Sequence, residues 1–115
     1  MKKPKGIGID FEQVRRFKQR PFSKNKRFYQ RVFTAAEIRY CNAQSVPGQH
    51  FAARFCAKEA VRKCVQAQIP WNQIEVVLRN GSPSIRIHKT GLKKRTIFCS
   101  LSHDVQYAMA MVLIL

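Results

Sequence analysis

The chain has 115 residues, with 22 Lys and Arg against 6 Asp and Glu, and a formal charge of +16 at neutral pH. One domain of this length can bury a core without disulfides or metal, and 45% apolar residues exclude a wholly disordered basic tail. No apolar run reaches the roughly 20 residues that a membrane-spanning helix needs, and the basic opening leads into no long apolar stretch, so neither a membrane anchor nor a secretory signal is expected.

Gly6-Ile7-Gly8-Ile9-Asp10 reads as a short strand ending in a carboxylate, its glycines permitting close backbone approach. Phe11, Val14 and Phe17, three apart, predict a helix from Phe11 to Arg20, ended by Pro21. Residues 23–27 form a basic loop. Thr34-Ala35-Ala36-Glu37 is a capping box, so a helix starts near Ala35. Val46-Pro47-Gly48 is a break. From Gln49 to about Gln68 the apolar residues Phe51, Ala52, Phe55, Cys56, Ala60, Cys64 and Ala67 share one helical face. Ile74 to Leu78 reads as a strand, Asn80-Gly81 as a tight turn and Ile85 to His88 as a half-buried strand. A basic loop over residues 88–95 precedes two last strands, Thr96 to Ser102 and Tyr107 to Leu115. The fold class is α+β, an antiparallel sheet packed against one long helix, in a single domain over residues 1–115.

Cys41, Cys56, Cys64 and Cys99 show no two-residue metal or redox spacing, and three lie in apolar patterns. They read as free thiols of a reducing, cytoplasmic compartment. The charge points to an acidic partner, either nucleic acid or an acidic protein.

With six acids in the chain, their placement is informative. Asp10 and Glu12, two apart on a strand, face the same way. Two such carboxylates repel unless a cation lies between them, and oxygen ligands suit Mg²⁺. Arg54, Lys58 and Arg62 form a basic stripe four apart, beside a Glu59–Lys63 pair at the same spacing. Spacing alone allows a solvated amphipathic helix. It also allows Glu59 to join Asp10 on a metal while the cations hold phosphates. Ser102 and His103 are no catalytic dyad, since no orienting third group is readable. They read as a strand end or as phosphate donors. His50 and His88 have no readable partners and are expected at the surface.

These segments together resemble the phosphopantetheinyl transferases, in particular the small holo-[acyl-carrier-protein] synthase type. The residues that carry the likeness are Gly6 to Asp10, Arg31 to Glu37 with Tyr40-Cys41, Phe51 to Ala60 with Lys63, Asn80 to Pro83, and Ser100 to His103, in the family's order. The resemblance implies transfer of 4′-phosphopantetheine from coenzyme A to a serine of an apo acyl carrier protein, releasing adenosine 3′,5′-bisphosphate. It implies that Asp10 and Glu59 hold Mg²⁺ on the pyrophosphate, that Lys58 and Lys63 contact phosphates, and that Arg54, Ser102 and His103 meet the nucleotide end. Gly81 to Pro83 would lie against the adenine. The base for the serine would be Glu59 or a metal-bound water. Arg15, Arg16 and Arg20 would dock the acidic carrier protein, and the chain would form a homotrimer.

The sequence departs from the family pattern at three places. Gln13 replaces the usual second acid, and Glu12 resembles instead the Asp-x-Glu of the larger transferases, which makes it a candidate third metal ligand. Residues 64–68 lack the usual glycines, and residues 89–95 are shorter than the family's helix. Two rival readings stand beside the transferase. A small nucleic-acid-binding protein would expose Phe17, Phe22, Phe28 and Tyr29 among the cations. An inactive relative would bind a carrier protein without modifying it.

Overall fold

The computed structural model describes residues 5–88 and 91–115. The opening residues 1–4 and part of the expected basic loop, residues 89 and 90, lie outside the described residues. The elements are β1 (Gly6–Gln13), α1 (Arg15–Lys18), α2 (Lys26–Val32), α3 (Ala35–Asn42), α4 (Pro47–Val65), β2 (Ile74–Arg79), β3 (Ser82–Ile87), β4 (Ile97–His103) and β5 (Tyr107–Ile114), with 3-10 turns at Phe22–Lys24 and Trp71–Gln73.

The strands form two antiparallel sheets, β1-β5-β4 and the hairpin β2-β3. The α+β class therefore stands, with the expected sheet divided in two. Along β1, Gly6 and Gly8 face α4. A side chain on either would run into the carbonyl oxygen of Cys64 or Ala60, so only glycine lets helix and strand meet this closely. Ala108, Ala110, Val112 and Ile114 of β5 line the same inner face, against Phe51, Ala52, Cys56, Ala60 and Val61 of α4. Each large apolar side chain so buried contributes about 1.5–3 kcal/mol.

Thr34 caps α3 as expected: its hydroxyl accepts from the Glu37 backbone N–H, and the Glu37 carboxylate accepts from the Thr34 N–H. Asn80 and Gly81, both with positive φ, make the β2–β3 turn. Pro47 sits in the first turn of α4, so 46–48 begins the long helix. That helix ends at Val65, before the expected Gln68, with Gln66 at φ 52° where glycine is favoured.

The helix expected from Phe11 to Arg20 is corrected. Phe11 belongs to β1, paired with Met109, and helix is confined to Arg15–Lys18. Phe11 satisfies both periods, three apart from Val14 and two apart from Ile9. Pairing with β5 gives its backbone a full ladder, and the strand wins.

Candidate active site

The end of β1 carries the acids. Asp10 and Glu12 share a side of the strand, and Glu12 is part-buried beneath Arg16, which donates to it. Burial pushes the Glu12 carboxyl above its ordinary 4.5, and the neighbouring Asp10 pushes it further, against the lowering pull of Arg16. The two carboxyls are thus in direct conflict, as the spacing predicted.

Lys63 relieves half of that conflict. From α4 its ammonium donates to Asp10 Oδ1 at 3.1 Å and to the Ile9 carbonyl at 2.9 Å. Asp10 Oδ2 is buried and has no hydrogen-bond partner. An orphaned carboxylate oxygen beside a second carboxylate is the chemistry of a hard-cation site. The expected Glu59–Lys63 pair is absent, because Lys63 reaches across to β1. Glu59 accepts instead from the Trp71 indole at 3.3 Å and pairs with Arg62 at 3.7 Å. Among the described residues no three His, Cys, Asp or Glu side chains gather closely enough to hold an ion. Asp10, Glu12 and Glu59 are therefore not assembled as one ligand set.

Lys58 is corrected outright. It is fully buried, and its ammonium bonds Glu37 at 2.7 Å, the Trp71 carbonyl at 3.0 Å and the Ile74 carbonyl. It cannot meet a phosphate from there. The stripe of three exposed cations reduces to none: Arg54 is buried too, and Arg62 donates to the Ile69 carbonyl.

Arg54, Pro83 and His103 do come together. They line a cavity of about 170 Å³ with Tyr40, His50, Ala53, Leu78 and Leu101. The Arg54 guanidinium lies 4.2 Å over the Tyr40 ring, and its buried Nε has no partner. His50 is no isolated surface histidine. Its ring stands 5.0 Å from that of His103, and burial, His103 and Arg54 together hold its pKa below 6.5. His88 likewise has a partner, Glu75, at 3.1 Å. Ser102 does not join His103: it pairs in register with exposed Met109 on the opposite face of the sheet. Gly81 forms the hairpin turn outside this cavity.

Arg15, Arg16 and Arg20 are all exposed around α1, with Arg20 over the Phe28 ring at 4.2 Å. The aromatics between them are not. Phe17 and Tyr29 are buried, while Phe22 and Phe28 pack against the core. None of the four aromatics that the nucleic-acid reading would expose is an exposed residue. The cysteines are free thiols, three of them buried, and burial holds Cys41 near 12 and Cys99 near 11. Such protonated thiols are not nucleophiles. No helix among the described residues is long and apolar enough to cross a membrane.

Trp71 and Tyr40 are the site neighbours that sequence reasoning missed. Tyr40 stood in a family-like segment without an assigned role. Trp71 follows Pro70, just past the expected end of the long helix, a place where a lone indole could have been asked what it caps.

Comparison with known proteins gives the family of the chain. A model of the 4′-phosphopantetheinyl transferase superfamily matches residues 6–112. The holo-[acyl-carrier-protein] synthase of Geobacter sulfurreducens is 37% identical over 95% of each chain. That of Thermodesulfovibrio yellowstonii is 38% identical over 95% of this chain and 96% of its own. The crystal structure of a holo-(acyl-carrier-protein) synthase from Bacillus anthracis in complex with CoA (3′,5′-ADP) superposes with a TM-score of 0.79 at 29% identity, covering 96% of each chain. The chain belongs to the 4′-phosphopantetheinyl transferase superfamily, as an enzyme of the small holo-[acyl-carrier-protein] synthase type.

Proposed function

We propose that this enzyme transfers 4′-phosphopantetheine from coenzyme A to a serine of an apo acyl carrier protein with Mg²⁺, releasing adenosine 3′,5′-bisphosphate. The observation that carries the reading is Asp10: one oxygen on Lys63, the other buried and free, with Glu12 alongside. Asp10 and Glu12 would hold the ion, with Glu59 as a third ligand. When bound, the ion offsets charge on the pyrophosphate oxygens.

The serine oxygen bonds the phosphorus of the pantetheine arm, and the bond from that phosphorus to the bridging oxygen of adenosine bisphosphate breaks. The serine proton would pass to a carboxylate, for which Glu59 of α4 is the candidate. Lys63 is 57% exposed along its side chain, so its ammonium is reachable by the phosphates while anchored on Asp10. Arg54 and His103 supply cationic and donor groups for the nucleotide end, with Pro83 as an apolar wall. Arg15, Arg16 and Arg20 give α1 a cationic surface for an acidic carrier protein, mainly speeding encounter.

We read the assembly as a trimer in a cytoplasmic setting. Ile7, Ile9, Phe11, Phe98, Met109 and Met111 leave the outer face of β1-β5-β4 apolar and open, a patch of the kind further copies cover. Ser102 lies on that face, so its part at the nucleotide end would be played across a subunit boundary.

The test is the intact mass of an apo acyl carrier protein after incubation with enzyme, coenzyme A and Mg²⁺. One phosphopantetheinyl group should be gained, and Asp10→Ala should slow the gain at least about a hundredfold. No gain with fatty-acid, polyketide and peptide carrier proteins, alongside salt-sensitive binding of single-stranded DNA, would overturn the reading.

A further inference from the structure

Glu59 is held by contacts that a cation could displace. The indole bond at 3.3 Å is at the long end for N–H···O. The Arg62 pair at 3.7 Å is beyond hydrogen-bond distance. The holders themselves are fixed. Arg62 donates to the Ile69 carbonyl at 2.9 Å and lies 4.4 Å over the Trp71 ring. The Trp71 carbonyl accepts from buried Lys58 at 3.0 Å, and its ring packs on Phe55. A firm frame therefore presents one weak donor to one carboxylate.

We propose that Trp71 is a positioning residue: with Arg62 it keeps Glu59 apart from Asp10 and Glu12, and the divalent cation binds as Glu59 exchanges the indole for the ion. The inference rests on the metal-dependent transferase reading and adds how its third ligand is delivered. It explains together why Asp10 Oδ2 is an orphan, why no three ligands gather, and why Glu59 faces a tryptophan rather than Lys63. A carboxylate parked on weak donors spares the Asp10–Glu12 pair a third like charge until the ion arrives. The exchange lowers apparent metal affinity by the fraction of molecules in which Glu59 is free, so removing the indole donor should raise that affinity.

Trp71 is the only tryptophan in the chain, so the emission reports on the surroundings of this one ring. Mg²⁺ added to enzyme with coenzyme A should change the emission beyond the effect of coenzyme A itself, and Glu59→Gln should abolish the metal-dependent part. Trp71→Phe keeps the ring packing and removes the donor. Its half-saturating Mg²⁺ in the transfer assay should fall about two- to tenfold, with kcat at saturating metal within about twofold. A merely structural tryptophan predicts the opposite sign, a higher metal requirement in a loosened site. Unchanged or raised half-saturation overturns the proposal. So does wild-type emission that ignores Mg²⁺ in an enzyme that transfers, a measurement that needs no variant to fold. An enzyme that transfers nothing overturns instead the reading beneath it.

Discussion

Two lysines of α4, five residues apart, make ion pairs of different kinds. Lys58 pairs with Glu37 at 2.7 Å, with both side chains fully buried. Every donor and acceptor has a partner: Lys58 reaches two carbonyls besides Glu37, while Glu37 accepts from the Thr34 N–H at 2.9 Å and the Val76 N–H at 2.8 Å. Burial lowers the Lys58 pKa, and the charge and hydrogen bond of Glu37 act to restore it. Lys63 pairs with Asp10 at 3.1 Å at an open rim, and leaves the second Asp10 oxygen unpartnered. The buried pair is closed and joins α3, α4, the Trp71 turn and β2. The rim pair is incomplete and free to take a ligand. Completeness of hydrogen bonding, more than the presence of charge, separates the structural pair from the candidate catalytic one.

The largest expected effect breaks the closed pair. Lys58→Met keeps the aliphatic volume and leaves Glu37 charged in the core without its counterion. Stability should fall by about 3–5 kcal/mol, read from chemical unfolding. Adding Glu37→Gln should recover part of the loss, because the uncompensated charge is then gone. A loss under about 1 kcal/mol would show that the pair is solvated after all and would remove the contrast.

The rim pair should give the reverse pattern. Lys63→Gln breaks a pair whose lysine is mostly exposed, so stability should change by less than about 1 kcal/mol. Transfer should suffer, since the anchor of Asp10 and the cation proposed to meet the phosphates are both lost. A fall of about ten- to a hundredfold in kcat/KM is expected, from steady-state rates with coenzyme A varied. A destabilised protein with intact rates would exchange the roles of the two lysines.

How much of this was legible in the sequence follows from how local each cause is. The Thr34–Glu37 cap, the Asn80-Gly81 turn and the Asp10–Glu12 pair each depend on neighbours within three residues, and each was readable. The glycines of β1 were readable as close-approach positions, although their partner backbones lie over 50 residues away. Lys58 was not readable. Spacing of four placed it on a solvated stripe with Arg54 and Arg62, but α4 is covered by the large sheet on one side and by α3 and the hairpin on the other. Nothing local marks Glu37, 21 residues earlier, as its counterion. The Glu59–Lys63 pair failed for the same reason: helical spacing permits it, and a strand 53 residues away offered Lys63 a better partner. Ser102 and His103 were read together as adjacent letters, whereas adjacent residues of a strand point to opposite faces.

The smallest effect sharpens the contrast at the border of the closed network, where Glu75 joins it to the hairpin. Glu75 accepts from the Thr34 hydroxyl at 2.8 Å and meets His88 at 3.1 Å. Burial raises its pKa, but the hydrogen bonds from Thr34 and His88 and the charges of His88 and Arg86 outweigh burial and bring it below 4.5. Between that folded value and 4.5 the unfolded chain binds more protons than the folded one. The stabilising contribution of Glu75 is therefore complete above 4.5 and disappears as pH falls through the folded value. Thermal unfolding of the wild type and Glu75→Gln from pH 6 to pH 3 should show a stability gap that is constant above about 5.5 and closes below 4.5. A gap that stays level to pH 3 would mean that Glu75 holds the hairpin by shape and not by charge. Closure would tie acid sensitivity to the hairpin that carries Pro83 into the Arg54 cavity.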